Sequence, residues 1–224
     1  MGRSRGLLSQ PDNFSGFGDL MSKIERDHLL VLASTSPFRK ELLSRLGLEF
    51  EVVPPDLEED TLPGEDGRSL ALRLSVGKAN AVAATMEKGL VIGSDQVAVL
   101  DGEIFGKPRD RADAIRQLTM SSGREMQLYT GVALVNSATG RVQRDVVSYL
   151  AKYRELTRDQ IEHYLDIDTP FGCCGSLRAE SLGIALLREL SGPDPSALIG
   201  LPLICLVQML EREGIKVIPS SGSA

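Results

Sequence analysis

The sequence predicts an α/β protein built on a mixed, twisted sheet with flanking helices. Three observations carry that expectation. Strand-like apolar runs alternate with helix-forming stretches along most of the 224 residues, as parallel crossovers require. Two pairs of strand-like runs are joined by tight turns, Asp101-Gly102 and Ser137–Gly140, which adds antiparallel neighbours to the sheet. Hydrophobic residues make up 42% of the chain, enough for a full core in one domain or in two small lobes around a shared cleft.

Each element has its own signal. "LLVLAS" (Leu29–Ser34) is a continuous apolar run closing in hydroxyls, as a buried strand does. A helix follows from Pro37 to about Leu46, with Pro37 at its first position and Gly47 at its end. "FEVV" is a short strand leading into an acidic loop punctuated by prolines. Ser69–Glu87 is an alanine-rich helix, and "GLVIGSDQVAVL" a second apolar strand that turns at Asp101-Gly102 into "EIFGKP". Asp110 caps a helix over Arg111–Met120. "MQLYTGVALVN" and "RVQRDVVSYLAKYREL" form an antiparallel pair. Thr157 and Gln160 make a capping box for a helix reaching about Asp166. The last third reads as a Gly-containing loop "TPFGCCGSLRAES", a strand "GIALLREL", a loop "SGPDPSALIG" and an amphipathic core helix "LPLICLVQMLEREG". No internal repeat is visible.

Composition narrows the function. The formal net charge is −6 and no basic block stands out, which argues against a nucleic-acid polymer as partner but leaves room for a local anion pocket. Three cysteines, two of them adjacent (Cys173 and Cys174), form no disulfide framework and point to reduced thiols in the cytoplasm. The two histidines, His28 and His163, have no zinc-ligand spacing, so any metal is expected to be a hard cation held by oxygens. Residues 1–27 read as a loose extension, with Met21 a possible second start. Asp12, Asp19 and Glu25 weaken a targeting reading of Arg3 and Arg5. Residues 28–219 form the domain and 220–224 a short tail. No apolar run approaches the roughly 20 residues of a membrane span, so a soluble protein is expected.

The chemistry starts from an oddity. Arg39 and Lys40 sit in the first turn of a helix, where the aligned peptide dipoles disfavour positive charge. Ser34, Thr35 and Ser36 close the strand just before Pro37. Hydroxyls, free N–H groups and the dipole converge there as they do around a phosphate, and a polyphosphate would explain the two cations. An ordinary serine cap with solvated basic residues explains the stretch equally well, and the glycines of a Walker loop are missing. Asp95 interrupts an apolar strand and wants a cation, a proton or a strong donor, although a structural Asp bonded to backbone N–H groups is the competing reading. Lys78, in an Ala/Val-rich helix, and Lys107, in "GKP", are each explained as snorkelling lysines when taken alone.

Together these stretches carry a resemblance. "LASTSPFRKELL", Lys78-Ala79, "GSDQV", "FGKP", "YTGVAL" and "GLPL" occur in the order found in the Maf family of nucleotide pyrophosphatases, over about Leu29 to Val217. The aromatic after "SP" and the "SDQV" strand are similar to the branch that acts on 7-methyl-GTP. The resemblance implies a two-lobed fold around a central cleft, of the inosine-triphosphatase-like kind. It implies divalent-metal-dependent cleavage of a nucleoside triphosphate, 7-methyl-GTP in this branch, to the monophosphate and pyrophosphate. It places the catalytic acid on Asp95, phosphate binding on Ser36, Arg39, Lys78 and Lys107, and specificity on Phe38, Gln96 and Glu180. A homodimer is usual for the family. One departure is Gly77, where an acid usually precedes the helix lysine, so this position offers no carboxylate to a metal.

The residues are consistent with such chemistry. Lysines, an arginine and Mg²⁺ or Mn²⁺ neutralise a departing pyrophosphate, and an ionised carboxylate activates water. Asp95 is the expected base or metal ligand, and Glu41 a further metal candidate that an i,i+4 pair with Arg45 explains as well. A 7-methylguanine ring is cationic, so Phe38 offers it cation–π attraction. The Glu180 carboxylate can accept from N1–H and the exocyclic amine, and Gln96 can read a carbonyl or hydroxyl. A core aromatic and a solvated loop acid are the plain alternatives for Phe38 and Glu180. One difficulty is parity: neighbouring strand residues face opposite ways, so either Gly93 marks a bulge or Gln96 serves structure. Two other functions stay open. One is hydrolysis of dTTP, UTP or other modified triphosphates; the other is a nucleotide-sensing, division-regulating protein without turnover. Cys173 and Cys174 are expected to be inert.

Overall fold

The computed structural model describes residues 29–218. The extension, Met21 and the C-terminal tail lie outside the described residues, as does His28. Among these residues seven strands form one sheet: β1 (Leu30–Ala33), β2 (Glu51–Val53), β3 (Leu90–Leu100), β4 (Glu103–Phe105), β5 (Glu125–Asn136), β6 (Arg141–Tyr153) and β7 (Leu187–Ser191). Their order is β2-β1-β3-β5-β6-β7, with β4 also on β3. The β1 pairings with β2 and β3 are parallel and all others antiparallel. The mixed sheet therefore has the predicted origin in crossovers at one end and hairpins at the other.

Among the described residues six helices flank it: α1 (Pro37–Ser44), α2 (Gly67–Ala83), α3 (Arg111–Ser121), α4 (Arg158–Asp168), α5 (Pro195–Ile199) and α6 (Leu203–Arg212). Strand alternation divides the core. Leu30, Leu32, Ile92, Val132 and Leu134 face Leu42 and Leu43 of α1 and Leu206, Met209 and Leu210 of α6. Val31, Ala33, Val91 and Ala133 face Ala79 and Val82 of α2 on the other side. Farther along, Leu118 of α3 and Ile161, Tyr164 and Leu165 of α4 cover Ala98, Leu100 and Leu128. Helix α2 lies close against the sheet because two strand glycines make room for it. A Cβ on Gly93 would stand 2.1 Å from the Ser75 carbonyl oxygen, and one on Gly131 2.2 Å from that of Ala71.

The elements depart from expectation in three places. Helix α2 starts and ends earlier than Ser69–Glu87, because Asp66 caps it by accepting the Ser69 N–H at 2.7 Å. The strand expected over Gly183–Leu190 is a 3₁₀ turn over Leu182–Leu186 before β7 begins. Asp168 holds that turn, accepting from the Ser181 hydroxyl at 2.6 Å and the Gly183 N–H at 3.1 Å. The loop "SGPDPSALIG" contains α5, opened by Asp194 as cap and Pro195 at the first position. The capping box of α4 is present as read, with Thr157 and Gln160 each accepting the other's backbone N–H.

Candidate active site

The site opens where the sheet divides. Strand β1 leaves β3 after Ala33 pairs with Gly93, and β4 joins β3 only at Ala98. Among the described residues, no strand covers that edge of β3 in between. A cleft of about 880 Å³ sits there, at the carboxyl end of β1, where open sheets place their ligands.

This split resolves the parity difficulty. Strand β3 pairs with β5 residue for residue from Leu90 to Leu100, so Gly93 is no bulge. Asp95 faces α2 and Gln96 faces α5, and both reach the cleft around the uncovered edge. The Gln96 amide nitrogen donates to the carbonyls of Ala197 (3.0 Å) and Leu198 (2.9 Å) and to the Thr130 hydroxyl (3.1 Å). Gln96 thus anchors α5 through its amide nitrogen while also lining the cleft.

One wall is the β1–α1 junction. Ser36 is the N-cap of α1, its hydroxyl accepting the Arg39 N–H at 3.4 Å, and its own N–H donates to the Ser34 hydroxyl at 3.1 Å. Arg39 is half-buried and turned inward: its Nε donates to the Gly200 carbonyl at 2.8 Å. The buried Ser94 hydroxyl donates to that same carbonyl at 2.8 Å. The C-terminal third thereby fixes the guanidinium of the N-terminal motif. Lys40 is exposed and does not line the cleft.

The opposite wall carries a charge cluster. Lys78 reaches from α2 to Asp95, 2.6 Å from its carboxylate, and both side chains are buried. The same ammonium lies 2.7 Å from Glu59, a half-exposed residue of the acidic loop. Asp95 thus has the strong cationic partner its burial demands. Glu59 carries no signal of its own in the sequence, because one acid in a loop of six from Asp56 to Asp66 has no periodicity to single it out. Lys107 lines the cleft from the exposed turn after β4. Glu41 is the candidate the structure does not bring in. It points away on α1, largely exposed, and pairs with Arg45 at 3.0 Å.

Phe38 and Glu180 line the same cleft. Arg178 links them: its guanidinium lies 5.3 Å from the centre of the Phe38 ring, and its Nε 3.4 Å from Glu180. Cys173 and Cys174 also line the cleft. The Cys174 thiol contacts the Gln96 carbonyl at 3.0 Å. Burial pushes the Cys173 thiol up to about 12 and the Cys174 thiol up to about 11. Neither has the depressed pKa of a catalytic thiol. Among the described residues no three His, Cys, Asp or Glu side chains cluster as a metal centre, and no helix is long and apolar enough to cross a membrane.

A split mixed sheet whose opening collects three cations, a buried carboxylate and an aromatic–carboxylate pair defines an α/β protein with a nucleotide-sized anion cleft. Comparison with known proteins gives the family. The Maf-like protein pattern matches residues 29–213, and the chain belongs to the Maf family. Among its relatives, a 7-methyl-GTP pyrophosphatase of Nitrosococcus oceani is 49% identical over 189 residues, covering 84% of this chain and 95% of that protein. One of Thiobacillus denitrificans is 51% identical, covering 84% of this chain and 94% of its own length. One of Pseudomonas aeruginosa is 47% identical over 188 residues, covering 84% and 98%.

Proposed function

We propose that the protein hydrolyses 7-methyl-GTP to 7-methyl-GMP and pyrophosphate, clearing a modified nucleotide from the cytoplasmic pool. The carrying observation is that the Lys78–Asp95–Glu59 cluster and the Phe38–Glu180 pair open into one cleft. A triphosphate tail and a cationic ring each find a chemical match there. Supporting this reading, relatives at about half identity bear the name 7-methyl-GTP pyrophosphatase.

In this reading Ser36 and the α1 N-terminus receive the tail, and Arg39, Lys78 and Lys107 neutralise it. Asp95 orients a water and takes its proton as the α–β anhydride opens. The donors around Lys78 are carboxylate oxygens only, a set that suits Mg²⁺ or Mn²⁺. Asp95 and Glu59 are the residues to hold that ion, which supplies Lewis-acid stabilisation of the phosphate charge. Phe38 stacks on the methylated base, and Glu180 accepts its N1–H and exocyclic amine.

The test is pyrophosphate release from 7-methyl-GTP, GTP, UTP and dTTP under Mg²⁺. Turnover of 7-methyl-GTP is expected to lead. Asp95→Asn is expected to lower its kcat by roughly a hundredfold or more, and an unchanged rate in that variant sinks the catalytic role. Equal rates on all four nucleotides sink the base assignment.

A further inference from the structure

Arg178 is used by none of the steps above, yet it touches both groups that face the base. Its guanidinium covers the Phe38 ring at 5.3 Å and approaches the Glu180 carboxylate at 3.4 Å. Phe38 comes from the start of α1 and Glu180 from the loop after α4, far apart in sequence. Phe38 and Glu180 line the cleft while Arg178 does not, so the guanidinium stands behind them. Its Nε is buried and has no hydrogen-bond partner among the described residues. A buried donor left unpaired is costly, and the Glu180 carboxylate, though 3.4 Å away, lies out of line with the Nε–H and does not satisfy it.

The backbone around Arg178 is firmly held. Its N–H donates to the Tyr164 hydroxyl at 2.9 Å, and that buried hydroxyl donates to the Ser176 carbonyl at 3.0 Å. Gly183 packs so closely on the Arg178 backbone that a Cβ there would stand 2.4 Å from its carbonyl oxygen. A fixed backbone with a side chain spanning two walls is the arrangement of a brace.

We infer that Arg178 is a positioning residue for base recognition: its planar cation holds the Phe38 ring and the Glu180 carboxylate in the relative orientation that a methylated guanine requires. The inference rests on the 7-methyl-GTP reading given above. Arg178 acts through those two residues and takes no part in bond cleavage. Its loss leaves Phe38 and Glu180 to be ordered by the ligand itself, which weakens binding. The phosphate end, built on Arg39, Lys78 and Asp95, is untouched by it.

The experiment compares the unaltered protein with Arg178→Met and Arg178→Lys, each checked for a native thermal unfolding transition. Steady-state kinetics on 7-methyl-GTP and GTP are joined by inhibition with inorganic tripolyphosphate, a ligand with no base. Arg178→Met is expected to raise KM for 7-methyl-GTP roughly fivefold to twentyfold. The kcat and the tripolyphosphate inhibition constant are expected to stay unchanged. Arg178→Lys keeps the charge over the ring and is expected to return KM to within roughly threefold of the unaltered value. An unchanged or lowered KM, a parallel loss of tripolyphosphate affinity, or a lysine variant no better than methionine overturns the brace. If the unaltered protein does not prefer 7-methyl-GTP to GTP, the base reading itself falls. If that preference stands while Arg178→Met behaves like the parent, only the role of Arg178 falls.

Discussion

Lys78 shows how much one side chain carries. Its ammonium is shared between Asp95 at 2.6 Å and Glu59 at 2.7 Å, but the two contacts are not equal in worth. The Asp95 side chain is 10% exposed, whereas the Glu59 side chain is 52% exposed and solvent screens it. Lys78→Met leaves a buried carboxylate without its cation, and is expected to lower unfolding stability by about 3 kcal/mol or more. Glu59→Gln is expected to change it by under about 1 kcal/mol. Denaturant midpoints of the two variants check the contrast. The adjacent thiols allow a pH prediction. Burial raises both above the ordinary 9.0, to about 12 for Cys173 and about 11 for Cys174, so the reactive thiolate is scarce at neutral pH. Iodoacetamide is expected to label them at pH 8 more than tenfold slower than free cysteine, measured by mass spectrometry. Unfolded thiols lose their protons first as pH rises past about 9, so stability held below that pH declines toward pH 11.

At the scale of elements, the helix–sheet seam decides whether Lys78 reaches Asp95 at all. Helix α2 rests on β3 and β5, and Gly93 and Gly131 are the places where its backbone comes closest. Gly93→Ala sets a methyl 2.1 Å from the Ser75 carbonyl and 2.7 Å from the Ala79 nitrogen, both backbone atoms that a rotamer change cannot move. The helix must lift, so the variant is expected to lose about 3 kcal/mol and most of its activity, as Lys78 withdraws from Asp95. Thermal unfolding and turnover measure the two effects. Strand glycines of this kind were visible in "VIGSDQV", but nothing local said which helix would lie on them. The β1–α1 junction was legible because its signals are contiguous: hydroxyls, Pro37 and the misplaced cations all fall within Ser34–Lys40. Helix α5 was not, since five residues are too few to show a period. The 3₁₀ turn at Leu182–Leu186 depends on Asp168, a partner across the chain.

For the molecule as a whole, the cleft is assembled from segments that meet only in the folded chain. Gly200 accepts from both Arg39 and Ser94, Glu59 joins Lys78 from a loop, and Gln96 bonds the backbone of α5. Such contacts are set by topology, which is why Asp95 and Arg39 stood out in the sequence while Glu59 and Arg178 did not. The same assembly predicts how the protein behaves without metal. The Lys78 ammonium already balances the buried Asp95 charge, and the one negative charge left over falls on Glu59, half-exposed and screened by solvent, so no cation is needed to hold the walls together. Chelation is therefore expected to abolish pyrophosphate release while leaving the unfolding midpoint within about a degree, since a ligand stabilises only by the free energy with which it binds the native state. Restoring Mg²⁺ or Mn²⁺ is expected to bring activity back in full. Adding 7-methyl-GMP together with the ion is expected to raise the midpoint, because the nucleotide then gives the carboxylates and Lys78 separate partners. Differential scanning calorimetry beside a pyrophosphate assay separates the outcomes. A midpoint that falls by several degrees under chelator alone makes the ion structural, and removes the argument that Lys78 holds the ion-free site together.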